Sequence, residues 1–171
     1  MTVMDVLRRL KGFITNKNLR GIVLFLLTYG IGLSTVSASL GVKLIQAGMK
    51  KEAVSSLSSF MIPLSFVAAV LASKAIKPHE EFSAWRKIVV LSVINTAIGY
   101  FLVTLNPVID ASNSGTVYFI MFLYLISSTF VGTFRGIALG GFYNRIADED
   151  IGGSSLTTLN SISNLGGQLT E

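Results

Sequence analysis

The 171-residue sequence contains no cysteine, one histidine, one tryptophan and three prolines, and only 13% of its residues are charged. Without cysteine there is no disulfide scaffold, no thiolate chemistry and no cysteine-ligated metal site. The lone histidine, His79, sits in the polar stretch Lys77 to Phe82 and reads as a solvated loop residue. No thiol lies beside it, and no carboxylates or histidines are grouped at one membrane depth, so the sequence offers neither a catalytic constellation nor a metal site, and no cofactor is called for. An average soluble domain carries about 25% charged residues. A short chain in water must keep much of its surface polar, and this composition cannot supply it, which argues against a soluble enzyme domain. Disorder is excluded by the 51% hydrophobic content and the mean hydropathy of +0.65. The net charge of +5 lies in the gaps between apolar runs rather than in a basic patch, so a nucleic-acid partner is not indicated.

What is abundant is uncharged sequence. A bilayer core of about 30 Å needs roughly 20 apolar helical residues. Gly21 to Val42, Ala53 to Ser73, Ile88 to Pro107 and Ala111 to Phe134 contain no charged residue, and Gly136 to Asn144 follows Arg135 with none. These runs predict an all-α membrane protein with four spans near 20–42, 53–76, 86–105 and 115–142, together making up 20–147. A β-barrel would alternate over runs of about 10 residues, and these runs are continuous and longer. A signal peptide is also a poor fit, because the first apolar run begins only at Gly21. Residues 1–19 read instead as a basic amphipathic segment, with Val3, Val6, Leu7, Leu10 and Ile14 at helical spacing. A plain linker is the competing reading.

Orientation follows from the cations in short loops. Arg8, Arg9, Lys11, Lys17 and Arg20 precede the first span, and Lys74, Lys77, Arg86 and Lys87 follow the second. Lys43, Lys50 and Lys51 oppose that trend. The balance places the N-terminus in the cytosol. Residues 148–171 read as the start of a further span, with Asp148-Glu149-Asp150 at its positive end and Asp150 or Ser154 as cap. Asn160, Asn164 and Gln168 fall at four-residue intervals, hence on one helical face. This last helix is cut short at Glu171, so the chain is expected to be part of a larger protein.

Arg135 is the strongly charged residue within the fourth span. A charge at membrane depth is usually paired or lines a water-filled cavity, which makes Arg135 the leading binding candidate. In the competing reading the span ends near Phe134 and Arg135 snorkels to the interface. Gly132, Gly136 and Gly140 repeat every fourth residue and read as a helix-packing stripe. Gly30, Gly32, Ser34, Thr35, Ser37 and Ser39 mark a polar outer half of the first span, whose hydroxyls either line a path or bond their own helix carbonyls. Pro63, Asn95 and Thr96 are open to the same two readings.

Two motifs go further. Ile151-Gly152-Gly153, then Thr157-Thr158-Leu159-Asn160-Ser161 and Ser163-Asn164-Leu165-Gly166-Gly167, resemble the "IGG…TLLNTVSNLGG" signature of the acetyl-coenzyme A transporter family, within the major facilitator superfamily. Gly41-Val42-Lys43-Leu44, Gly48, Lys51-Glu52, Pro63-Leu64 and Ser73-Lys74 are similar to that family's "GLKLxxxGxxKE…PL…SK" region. The resemblance implies helices seven to ten of a facilitator, with the eleventh incomplete and the N-terminal six-helix half missing. It also implies a multi-pass carrier in the endoplasmic reticulum membrane that brings acetyl-CoA into the lumen in exchange for CoA. Arg135 would then meet the substrate's phosphates, with Thr157, Asn160 and Asn164 adding hydrogen bonds. A related facilitator for a muropeptide-like or other anionic solute, or a non-transporting membrane subunit acting through helix packing, remains open. A membrane acetyltransferase is weaker, for want of a base other than His79.

Overall fold

The computed structural model describes residues 12, 15, 17, 20–28, 42, 45–46, 50–105, 114–147 and 152–168. Among them every regular element is an α-helix. Residues 20–28 are helical, and α1 (Lys51–Ala75), α2 (Glu81–Leu105), α3 (Ser114–Ile146) and α4 (Gly152–Gln168) follow. Three of these contain stretches long and apolar enough to cross a membrane, Lys51–Ala75, Glu81–Leu102 and Tyr118–Ile146. The chain is an all-α membrane protein. Most of the basic segment 1–19, the polar outer half of the first span, the connection around Asp110 and the acids Asp148-Glu149-Asp150 lie outside the described residues.

The bilayer explains why these sequences coil. Hydrocarbon offers no partner to a peptide N–H or C=O, so a spanning segment must satisfy them internally. Side-chain hydroxyls join the same ladder. Ser56, Ser58 and Ser59 donate to the carbonyls of Glu52, Val54 and Ser55 at 2.8, 3.0 and 3.0 Å. Ser73 and Thr104 do so three residues back, both at 2.9 Å. The helices also outrun the uncharged stretches. α1 opens on Lys51-Glu52 and α2 on Glu81, each with its acid in the first turn, and Lys74 and Arg145 lie in last turns. The acids in first turns and the cations in last turns complement the helix dipole. With 25 residues α1 is about 37 Å long, which covers a core of about 30 Å and part of the interface. α3 runs on through Arg135 to Ile146. Phe60, Ile62, Phe66, Val67, Val70 and Leu71 are exposed along α1, a surface suited to lipid or to other apolar helices rather than to water.

The chain divides into two compact units, one of Met1–Thr35 with Gly141–Glu171, the other of Val36–Gly140. In the second unit, Trp85, Ile88, Ser92, Asn95 and Gly99 are the buried positions of α2, spaced alternately by three and four residues as in a helix–helix seam. Its partner is α3, antiparallel to it. Asn95 meets Ser127, while Gly99, one turn later on α2, meets Tyr124, about one turn earlier on α3. Val54, Leu102 and Leu125 pack around buried Met121 and Tyr124, which brings the start of α1 to the same end.

α1 and α2 are joined by a tight turn in which the Glu80 N–H donates to the Lys77 carbonyl at 3.1 Å. Pro78 takes the second position, and His79 the third with φ of 70°. Proline pre-sets the second position of such a turn, and a type II turn places glycine or asparagine at the third. The His79 N–H is held by Glu81 Oε1 at 3.0 Å, and its side chain is exposed. Replacing His79 with glycine is therefore expected to leave thermal stability unchanged or raise it, and His79→Val to lower it by about 1 kcal/mol. Melting in detergent checks the order; a valine variant as stable as the glycine one would contradict the assigned backbone.

In the first unit the buried residues include Leu26, Tyr143, Ser155 and Leu159. Gly166 of α4 approaches the helical stretch 20–28 so closely that a Cβ there would lie 2.5 and 2.7 Å from the carbonyl oxygens of Leu26 and Leu27. On α4, Ser155, Leu159 and Gly166 form the buried face, and Thr157, Asn160, Asn164 and Gln168 the exposed one. α4 begins at Gly152, so Ser154 lies inside its first turn and is not the cap.

Candidate functional site

The polar side chains singled out from sequence fall into two groups, one in each unit. In the first unit, Thr157, Asn160 and Asn164 lie along one exposed face of α4, with Gln168 continuing the line. The Thr157 hydroxyl donates to the Gly153 carbonyl at 2.8 Å, and Thr158 does the same to Ser154. Thr157 Oγ therefore has its proton committed locally and offers a ligand its lone pairs. The exposed amides of Asn160 and Asn164 can both donate and accept. A neutral line of this kind suits the hydroxyl, amide and carbonyl groups of a solute.

Arg135 belongs to the second unit. It is half-buried on α3, at a position where the helix continues for eleven more residues. Three turns of helix separate it from Ile146, about 17 Å along the axis, inside the stretch Tyr118–Ile146 that is apolar enough to cross a membrane. The helix does not stop at Phe134; Phe130 and Phe134 pack ring against ring at 6.5 Å on the turn before Arg135. A guanidinium there brings a permanent positive charge and planar donors matched to phosphate or carboxylate.

The glycine stripe lies on the same helix. Gly132 and Gly140 are half-buried and Gly136 is exposed. A Cβ built on any of the three meets no atom within 4 Å. Among the described residues, then, space rather than a packed neighbour lies beside them. Pro63 is exposed on α1 and Thr96 half-buried on α2.

Asn95 is the buried polar residue whose role only the folded arrangement reveals. It is 8% exposed and accepts a hydrogen bond on Oδ1 from the Ser127 hydroxyl at 2.9 Å. One turn away Tyr124 closes over Gly99, where a Cβ would collide with its hydroxyl and stand 2.7 Å from its Cζ. Polar pairs and small residues are what hold helices together in lipid, where burial of apolar surface gives little drive. Ser127 and Tyr124 were not recognisable as partners from the sequence; the available signal was the alternating three- and four-residue spacing of small and polar positions on α2. A double-mutant cycle on Asn95→Ala and Ser127→Ala is expected to give a coupling of about 0.6–1.7 kcal/mol. A coupling indistinguishable from zero in reversible unfolding would contradict the bond.

Among the described residues no three His, Asp or Glu side chains are grouped so as to hold a metal ion. Each group offers recognition chemistry of its own: hydrogen bonding along the exposed face of α4, and the Arg135 guanidinium on α3.

Comparison with known proteins supplies the family. Residues 71–171 match the protein family described as Acetyl-coenzyme A transporter 1. An uncharacterized protein of Schizosaccharomyces pombe is 26% identical over 170 residues, covering 96% of this chain and 31% of that protein. The chain thus spans about a third of the length of this curated relative. No solved structure matches. The matched stretch runs from the end of α1 through α4, more than half of the chain, and it takes in Arg135 and the whole amide face of α4. The chain belongs to the acetyl-coenzyme A transporter family.

Proposed function

We propose that this chain works within a multi-pass carrier of the major facilitator type that moves acetyl-CoA from the cytosol into the lumen of the endoplasmic reticulum in exchange for CoA, with its N-terminus in the cytosol. The family match over residues 71–171 carries the reading. The apolar helices α1, α2 and α3 support it, since a carrier needs spans and changes no covalent bond in its cargo. Carriers of this type bind their solute between two halves that rock against each other. The chain covers 31% of the length of its curated relative, which supports a carrier in which it works together with a further six-helix half.

Within that carrier, Arg135 offsets the phosphate charge of the CoA moiety, while Thr157, Asn160 and Asn164 bond its neutral groups. Gly132, Gly136 and Gly140 leave space along α3 into which another helix of the carrier packs. The test is uptake of labelled acetyl-CoA into proteoliposomes, by this chain and by the longest reading frame that contains it. Saturable uptake by the longer product, inhibited by external CoA and accelerated by CoA loaded inside, is the expected result. No acetyl-CoA uptake by the longer product would overturn the substrate. Uptake by this chain alone would overturn the need for a second half.

A further inference from the structure

The turn between α1 and α2 concentrates four cations that the transport reading does not use. Lys74, Lys77, Arg86 and Lys87 are all exposed, within 14 residues, while Glu80 and Glu81 are the acids among them. Of these, Glu81 is half-buried and turned back onto the backbone N–H of His79. At the opposite end of α2, the segment leading to α3 has one acid, Asp110, and no cation, while α1 opens on Lys50 and Lys51.

In the first two turns of α2, beside Arg86, lies an aromatic pair. Phe82 and Trp85 stack at 5.8 Å between centroids with their planes 19° apart. The Arg86 guanidinium stands over the Phe82 ring, 5.8 Å from its centroid. Trp85 is buried, whereas Phe82 remains exposed. Aromatic rings at the ends of spanning helices sit at the level of the lipid headgroups. A guanidinium laid on such a ring is held near that level, and exposed lysines near the ends of the same helices have stems long enough to reach it.

From this juxtaposition we propose that the α1–α2 turn is a docking surface for anionic phospholipid headgroups. The lipid phosphate and its acidic headgroup meet Lys74, Lys77, Arg86 and Lys87, and the upper acyl carbons lie against Phe82. Charge complementarity selects an anionic lipid over a zwitterionic one. The exposed ring, a contact for hydrocarbon, selects a lipid over a soluble anion.

The protein carries its own reporter, because Trp85 is its one tryptophan. The intact chain is reconstituted in bilayers of phosphatidylcholine and phosphatidylserine in which either lipid, in turn, carries brominated acyl chains that quench tryptophan at short range. Brominated phosphatidylserine is expected to quench Trp85 with a relative binding constant at least about fivefold above that of brominated phosphatidylcholine. Raising the salt from low to high ionic strength should shrink this preference without any change in sequence. The variant K74Q/K77Q/R86Q/K87Q should abolish it, with helicity by circular dichroism unchanged. Equal quenching by the two lipids would overturn the proposal. So would a preference that survives the fourfold substitution, or one erased by free CoA at constant ionic strength, which would assign the cations to a soluble anion instead.

Discussion

Replacing Gly166 with valine is expected to separate α4 from the helical stretch 20–28. A Cβ at this position would stand 2.5 Å from the Leu26 carbonyl oxygen, 2.7 Å from that of Leu27 and 2.9 Å from the Leu27 Cα. All three are backbone atoms of a helix, so no side chain can rotate away, and the two helices must part. Overpacking a fitted contact costs about 1–3 kcal/mol, and valine at a backbone–backbone crossing belongs at the top of that range. Leu26 lies in the same contact and is 1% exposed. Because the chain has no cysteine, Leu26→Cys introduces a single buried thiol. In that background, Gly166→Val is expected to speed labelling by a membrane-permeant maleimide by about 100-fold, as a 3 kcal/mol shift in opening requires. Gly153 is the internal control. It lies on the same helix with nothing within 4 Å of an added Cβ, so Gly153→Ala should leave labelling unchanged or slow it, since alanine favours a helix over glycine by about 1 kcal/mol. Equal labelling in the Gly166→Val and parent proteins would mean that the contact does not form.

Under the proposed function, reversing the charge at Arg135 is expected to abolish acetyl-CoA uptake by the carrier that contains this chain. The residue is half-buried within an apolar helix, where a charge keeps its place by serving a partner or an aqueous path. A hydrogen bond to a charged group contributes about 1.5–3 kcal/mol, which corresponds to about 10- to 100-fold in affinity. Arg135→Gln, which keeps donors but not charge, should raise KM for acetyl-CoA by that factor. Arg135→Glu should eliminate measurable uptake, because it sets a negative charge against the phosphates, and Arg135→Lys should recover part of it. A response of KM larger than that of kcat would mark a binding role. Unchanged uptake by the glutamate variant would remove Arg135 from the solute's path and leave it as a side chain that reaches the interface.

The two predictions differ in how far the sequence pointed to them. Arg135 stands out in a linear reading, because a lone cation in a long uncharged run is costly in hydrocarbon. Gly166 stands out only as part of a family signature. In the linear sequence it resembles Gly132, Gly136 and Gly140, which form the more regular stripe. The structure separates them: Gly166 touches backbone on another helix, whereas the three stripe glycines border open space among the described residues. Spacing alone cannot make that distinction, since a small residue permits close approach without specifying which helix approaches.

Asn95 shows the same limit from the polar side. As a hydrogen-bonding group in an apolar run it was conspicuous, yet its use was ambiguous between a path and a local bond. Its acceptor is engaged by Ser127, 32 residues away, and no local pattern identifies that partner. The hydroxyls of α1 are the simpler case. They return to carbonyls three or four residues back, as the geometry of any helix allows.

Composition and the absence of charge by themselves determined that this protein is helical and membrane-embedded, because hydrocarbon leaves the backbone no other way to satisfy its polar groups. Motif spacing indicated the family to which residues 71–171 belong. Which faces meet was decided only by the tertiary structure. In water, hydrophobic periodicity separates the inside of a helix bundle from the outside. In lipid both sides are apolar, so that signal fades and the contacts fall to small residues and paired polar groups. Tyr124 over Gly99, Ser127 on Asn95 and Gly166 against the backbone of Leu26 and Leu27 are contacts of that kind, and each exists only once two distant segments have been brought side by side.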